Sequence, residues 1–204
     1  MSIGKHHIDH CCTVILAGGT SRRLGEPKQL LSFKGKTLLE KATDAALEAG
    51  IGPVVVVLGA GSEHTGQVLS GKNIQVVINP EWPEGIASSI RSGLQFVLKT
   101  RPETDGVLFM VSDQPFAGAE LLKELMNTQQ NTGKAVVCSG YGDTAGVPAL
   151  FHRSVFPELL SLQGDTGARK IILKNSDRTA TVPFPEGVID IDTREDYENL
   201  IKKN

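Results

Sequence analysis

The stretch LAGGTSRRLGEPK, residues 16–28, places three glycines and the cations Arg22, Arg23 and Lys28 directly after the apolar run TVI. Gly18 and Gly19 let the backbone approach a ligand without interference from Cβ. Consecutive N–H groups can then hold phosphate oxygens. Arg23 adds a planar fork for two oxygens and Lys28 a mobile point charge. A polyphosphate suits this combination, and a basic surface loop with turn glycines is the plainer alternative. The loop is not an ATPase phosphate loop, because Gly25 is followed by Glu26 where that motif needs lysine. It also lacks the G-x-G start of a dinucleotide fingerprint. Gly59-Ala60-Gly61 comes nearer, but His64 stands where a third glycine belongs.

Asp113 follows the apolar run GVLFMV (106–111). A carboxylate there can serve magnesium, which takes one or two carboxylates with phosphates and waters. It equally suits the start of a turn at Pro115. A second carboxylate should face it. Asp190 and Asp192 close the run GVIDI, and in an extended strand their side chains point to opposite faces. Asp190 is the expected partner, and Asp192 fits helix-entry chemistry beside Thr193. Asn79, Ser88 and Ser89 lie in NPEWPEGIASS, where hydroxyls at a helix start can meet a ribose or base. Trp82 suits stacking on a ring or anchoring a loop. Asp165 and Arg169 belong to GDTGAR, where Asp165 also suits a helix N-cap. His152 reads as structural.

These positions need a scaffold. TVILAG (13–18), PVVVVL (53–58), IQVVI (74–78), GVLFMV (106–111) and KAVVCS (134–139) read as strands. Uninterrupted β-branched runs are the mark of strands covered on both faces. Helical spacing fills 36–50, 62–70, 85–99 and 119–130. The alternation predicts βαβ units and a mainly parallel sheet: an α/β, Rossmann-like three-layer sandwich. Beyond it, 146–151 reads as a strand that Pro148 demotes to an edge or a bulge. TATVPF and GVIDI read as strands, and 167–175 and the segment from Thr193 as helices. Ligands in open α/β sheets sit beyond the carboxyl ends of the strands. The loop at 18–28 and Asp113 both lie there.

Composition sets outer limits. Hydrophobic residues make up 40% and charged residues 22%, and the net charge is −2. That is an ordinary globular balance without the basic excess of a nucleic-acid or membrane binder. Cys11, Cys12 and Cys138 form no CxxC pair and fit a reducing cytoplasm. Residues 1–12 read as a leader whose His6, His7, His10, Cys11 and Cys12 could hold a soft metal or simply fray. Residues 13–204 read as one domain.

LAGG-x-S-x-R-x-G-x-x-K after a first strand resembles the signature of the MobA-like nucleotidyltransferases, with Leu24 in place of the usual Met. NPEWPEGIASSIRSGL (79–94), SDQP (112–115), LQGDTGARKII (162–172) and DIDTREDY (190–197) resemble the molybdenum cofactor cytidylyltransferase branch. The resemblance runs from residue 13 to about 200. It implies that Leu16, Ala17, Gly18 and Gly19 line a nucleotide. It implies that Arg23, Lys28 and Asp113 are catalytic, and that Asp113 and Asp190 hold Mg2+. Asn79, Ser88, Ser89, Asp165 and Arg169 would contact nucleotide or acceptor. The implied reaction moves CMP or GMP from CTP or GTP to the phosphate of a molybdenum–molybdopterin cofactor. A molybdoenzyme or its chaperone is the implied recipient. LAGG at Gly18 resembles the guanylyl branch, while the later motifs favour CTP. A sugar- or alditol-phosphate nucleotidyltransferase and a non-catalytic cofactor-binding or chaperone domain remain alternatives.

Overall fold

A computed structural model describes residues 6–19, 21, 24–59 and 61–203. In chain order the elements are β1 (Cys11–Ala17), β2 (Ser32–Phe33), β3 (Lys36–Thr37), α1 (Leu38–Ala49), β4 (Val54–Leu58), α2 (Ser62–Gln67), β5 (Gln75–Ile78) and α3 (Ile86–Thr100). Then come β6 (Gly106–Val111), α4 (Ala119–Thr132), β7 (Val136–Tyr141), β8 (Thr144–His152), α5 (Phe156–Leu160), α6 (Arg169–Lys174), β9 (Thr179–Pro183) and α7 (Arg194–Lys203). Seven strands form one sheet in the order β5-β4-β1-β6-β8-β7-β9. Only β8 runs against the others, pairing antiparallel with both β6 and β7. The expected α/β sandwich with a mainly parallel sheet is what forms.

The period-2 geometry of strands builds two cores from one sheet. Val14 and Leu16 of β1 pack with Ile90, Leu94 and Val97 of α3 on one face. Ile15 and Ala17 pack with Leu39, Ala42 and Ala46 of α1 and Leu122 of α4 on the other. Helix α1 begins with a reciprocal cap: the Thr37 side chain accepts from Glu40 N, and Glu40 accepts from Thr37 N. Helix α3 lies so close to the sheet that a Cβ on Gly93 would come 2.7 Å from Val14 Cγ1 and 3.0 Å from Val57 Cγ2. Gly93→Val should therefore cost about 3 kcal/mol through overpacking. A thermal melt should show Tm lower by roughly 10 °C.

A third, smaller apolar cluster ties the chain's end to its beginning. Leu24, Leu31, Phe33 and Leu38 enclose Ile191 and Leu200. The β2–β3 hairpin that carries Phe33 turns through Lys34 and Gly35, both at positive φ. Tyr197 Oη donates to Ser32 O at 2.7 Å.

Two local expectations are corrected, and of the edge or bulge expected at Pro148 the bulge is what forms. GVIDI is no strand: Pro185–Val188 form a 3₁₀ turn, and irregular chain follows. Pro148 is not on an edge strand, since β8 lies between β6 and β7. The register instead shifts between Cys138 and Ser139, whose partners are Ala149 and Gly146, so the bulge absorbs the missing donor. Strand β1 starts at Cys11, with both cysteine side chains buried. The chain before it is held too: His6 N donates to Gly133 O, and Asp9 N and His10 N donate to the Asp105 carboxylate. Burial pushes the Cys11 and Cys12 thiols up, away from the thiolate a soft metal needs.

Candidate active site

The sheet changes winding direction at β1. From β1 the chain moves outward to β4 and β5, then returns through α3 to β6 on the other side of β1. Loops leaving β1 and β6 therefore diverge from adjacent strands and leave a crevice at their carboxyl ends. A cleft of about 440 Å³ opens there, with Gly18, Gly19 and Lys28 on one wall and Ser112 and Asp113 on another. Leu16, Ala17, Gln29, Ser89 and Asp165 also line it, together with the ridge of Trp82, Pro83 and Ile86.

Lys28 and Asp113, 85 positions apart in sequence, meet as an ion pair in this cleft. Lys28 Nζ also donates to Asp192 Oδ1 at 3.2 Å. Burial alone would lower the Lys28 pKa, but Asp113 and Asp192 outweigh it and raise it. The ammonium is thus fixed as a cation.

Asp190 and Asp192 flank an anchor beside the cleft, and Asp192 bonds Lys28. Ile191 is fully buried in the third apolar cluster. With no strand there, the rule of opposite faces does not apply. Thr193 and Asp196 form the N-terminal cap of α7: Asp196 N donates to Thr193 Oγ1, and Thr193 N donates to Asp196 Oδ2. Asp192 is left to reach Lys28. Desolvation, and then the charges of Asp192 and Asp113, push the Asp190 carboxyl above the ordinary aspartate range.

That shift has a sign. A carboxyl with a raised folded pKa keeps its proton at pH values where the unfolded chain has lost it. Folding stability then falls as pH rises through the folded value. Asp190→Asn should therefore raise Tm at neutral pH, by about 1 °C for a group still partly in solvent. The gain should vanish in melts run at acidic pH.

Asp113, Asp190 and Asp192 offer hard oxygen donors, and the Lys28 ammonium already supplies the positive charge they need. Among the described residues no three His, Cys, Asp or Glu side chains form a ready metal cage. Two carboxylates completed by phosphates and water fit a divalent ion of the magnesium class.

Other expected residues divide. Leu16, Ala17, Gly18, Gly19, Ser89 and Asp165 line the cleft. Asn79 and Ser88 do not: Asn79 Nδ2 donates to Ser88 Oγ at 2.8 Å and Ser89 Oγ at 3.1 Å, and Ser88 Oγ donates to Gly85 O. Both are buried and tie the end of β5 to the start of α3. Arg169 is exposed at the start of α6. Arg22 and Arg23 lie outside the described residues. Gly59 packs rather than cradles, since a Cβ there would come 2.6 Å from Gly18 O.

The GDTG loop is clipped over the cleft. Arg91 Nη1 donates to Glu84 Oε1 at 2.9 Å and to Leu162 O at 2.6 Å, while Gly164 N donates to Glu84 Oε1 at 3.1 Å. The hydrogen bonds from Arg91 and Gly164 hold the Glu84 carboxyl down at about 2. Sequence reasoning missed this clip, and it missed Gln29, whose only signal is a polar residue inside the run KQLL.

Residues 13–179 match the MobA-like NTP transferase domain. The chain belongs to that family. The nicotine blue oxidoreductase of Paenarthrobacter nicotinovorans is 39% identical over 78% of this chain and 80% of its own. The molybdenum cofactor cytidylyltransferase of Escherichia coli is 20% identical over 90% of this chain and 92% of its own. A probable molybdenum cofactor guanylyltransferase of Bacillus subtilis is 28% identical over 94% of each. Among solved structures, Rv0371C of Mycobacterium tuberculosis, in complex with manganese, superposes with a TM-score of 0.78. It is 28% identical over 96% of this chain and all of its own.

Proposed function

We propose that this protein is a divalent-metal-dependent nucleotidyltransferase that moves an NMP, CMP ahead of GMP, onto the phosphate of a molybdenum–molybdopterin cofactor and releases pyrophosphate. The reading rests on one observation: Lys28 and Asp113 meet in the cleft that Gly18 and Gly19 also line. Membership of the MobA-like family and the cytidylyl- and guanylyltransferase relatives support it.

In the proposed reaction an anionic oxygen of the acceptor phosphate attacks the α-phosphorus of the nucleotide. The new O–P bond forms as the bond to the β-phosphate breaks, and pyrophosphate leaves in line with the electron pair. The attacking oxygen carries no proton, so no strong general base is required. Catalysis is then positioning plus charge neutralisation. Gly18 and Gly19 admit the nucleotide backbone to backbone. Lys28 turns its charge toward the departing pyrophosphate, and Arg23 is proposed beside it. Asp113 with Asp190 or Asp192 would hold the divalent ion, which when bound neutralises triphosphate charge. Asp165, on its clipped loop, faces the acceptor.

Pyrophosphate release with CTP and with GTP, measured with the molybdenum-loaded cofactor as acceptor, tests this. Release with CTP above GTP is expected. Release only with sugar or alditol phosphates would replace the acceptor, and cofactor binding without release would support a chaperone role. The nicotine blue oxidoreductase relative favours one second reading, a redox enzyme in the same cleft. Reduction of nicotine blue by an added two-electron donor, with no pyrophosphate from either nucleotide, would establish that reading instead.

A further inference from the structure

Gln29 follows Lys28 in a 3₁₀ turn, lines the cleft and is 2% exposed. Its Nε2 donates to Ala17 O at 2.9 Å and to Gly19 O at 2.9 Å, the carbonyls on either side of Gly18. Its Oε1 is buried and has no partner among the described residues. The amide orientation is forced, because the reverse would set an oxygen against two carbonyl oxygens. A second tie lies alongside: Lys28 N donates to Ser21 Oγ at 2.9 Å. The turn that carries the cation therefore also grips the glycine loop.

Two adjacent glycines are the least constrained backbone a chain can have. Left free, they would be ordered only at the expense of ligand affinity. In a trans peptide C=O and N–H point oppositely, so holding Ala17 O turns the Gly18 N–H away from Gln29.

We propose that Gln29 is a positioning residue that pre-orders the glycine loop for a nucleoside triphosphate by clamping both carbonyls that flank Gly18. The proposal builds on the triphosphate reading of this cleft. In this role Gln29 acts through the Ala17 and Gly19 backbone.

Two variants separate donation from packing. Gln29→Met keeps the volume and loses the donor. Gln29→Glu places a carboxylate against two carbonyls and recovers one donor only when protonated. For the intact chain with Mg2+ and CTP or GTP, followed by Trp82 fluorescence, Gln29→Met should weaken binding about tenfold. Its turnover at saturation should change less than about threefold. The Gln29→Glu deficit relative to wild type should shrink as pH falls, while the Gln29→Met deficit stays level. In the ligand-free proteins, amide hydrogen exchange across 16–21 should quicken in both variants, with the rest of the sheet unchanged. Unaltered exchange there, or a Gln29→Glu deficit independent of pH, would overturn the clamp. Quickened exchange in a wild-type protein that binds neither nucleotide would keep the clamp and remove the triphosphate reading.

Discussion

Asp113→Asn is expected to cut pyrophosphate release on the order of a thousandfold while leaving the fold in place. The substitution preserves shape and removes one charge. Asp113 sits in the turn two residues beyond β6, whose last residue, Val111, is held by pairing with Leu16 of β1. Lys28, its ion-pair partner, keeps a bond to Asp192. Each side chain of the pair is 18% exposed, so the loss to stability is that of a solvent-screened pair, about 1 kcal/mol. The consequence for chemistry is larger, because a triphosphate with its divalent ion needs a carboxylate at a fixed place. Pyrophosphate release, thermal melts and Mn2+ titration in the presence of nucleotide should separate the effects. Turnover and metal affinity should collapse together while Tm moves by roughly 3 °C. A variant with full turnover would remove Asp113 from the site.

How much of this could be read in the sequence depends on whether a feature is local. The strands within 53–58 and 106–111 were legible because strands covered on both faces are continuous apolar runs. The loop at 18–28 and Asp113 were legible because chain order alone puts loops after β1 and β6 at the same end of a parallel sheet. GVIDI failed for a definite reason: a short apolar run has the same pattern whether it pairs in a sheet or inserts one residue into a core. Ile191 does the second. The choice between Asp190 and Asp192 was not legible for the same reason, since both acids flank that anchor and the docking of α7 sets where they reach. Asn79 and Ser88 looked like ligand groups because polar residues at a helix start often are. Their polar atoms instead satisfy one another beneath the cleft floor. Gln29 left no periodic trace, because a single buried donor beside a lysine looks like any surface glutamine.

Lys28→Met should pull apart two quantities that would ordinarily fall together. Turnover with nucleotide and acceptor is expected to drop roughly a hundredfold or more, because the cation nearest the departing pyrophosphate is gone. Divalent metal binding to the free protein should become tighter. The Lys28 ammonium bonds both Asp113 and Asp192, and a second cation entering between those carboxylates must displace it. The nucleotide offers the displaced lysine a new anionic partner, so wild-type protein should take up metal far better with nucleotide than without. In Lys28→Met that dependence should shrink. Mn2+ titration followed by electron paramagnetic resonance reads this directly, with and without CTP. The same variant leaves Asp113, Asp190 and Asp192 facing one another without their cation. Losing the Lys28 charge, which lowers the already raised Asp190 pKa, should raise it further, so Lys28→Met protein should gain stability as pH falls from neutral. Added Mn2+ should restore the loss at neutral pH. Unchanged metal affinity in Lys28→Met would mean that the lysine and the metal use different faces of Asp113.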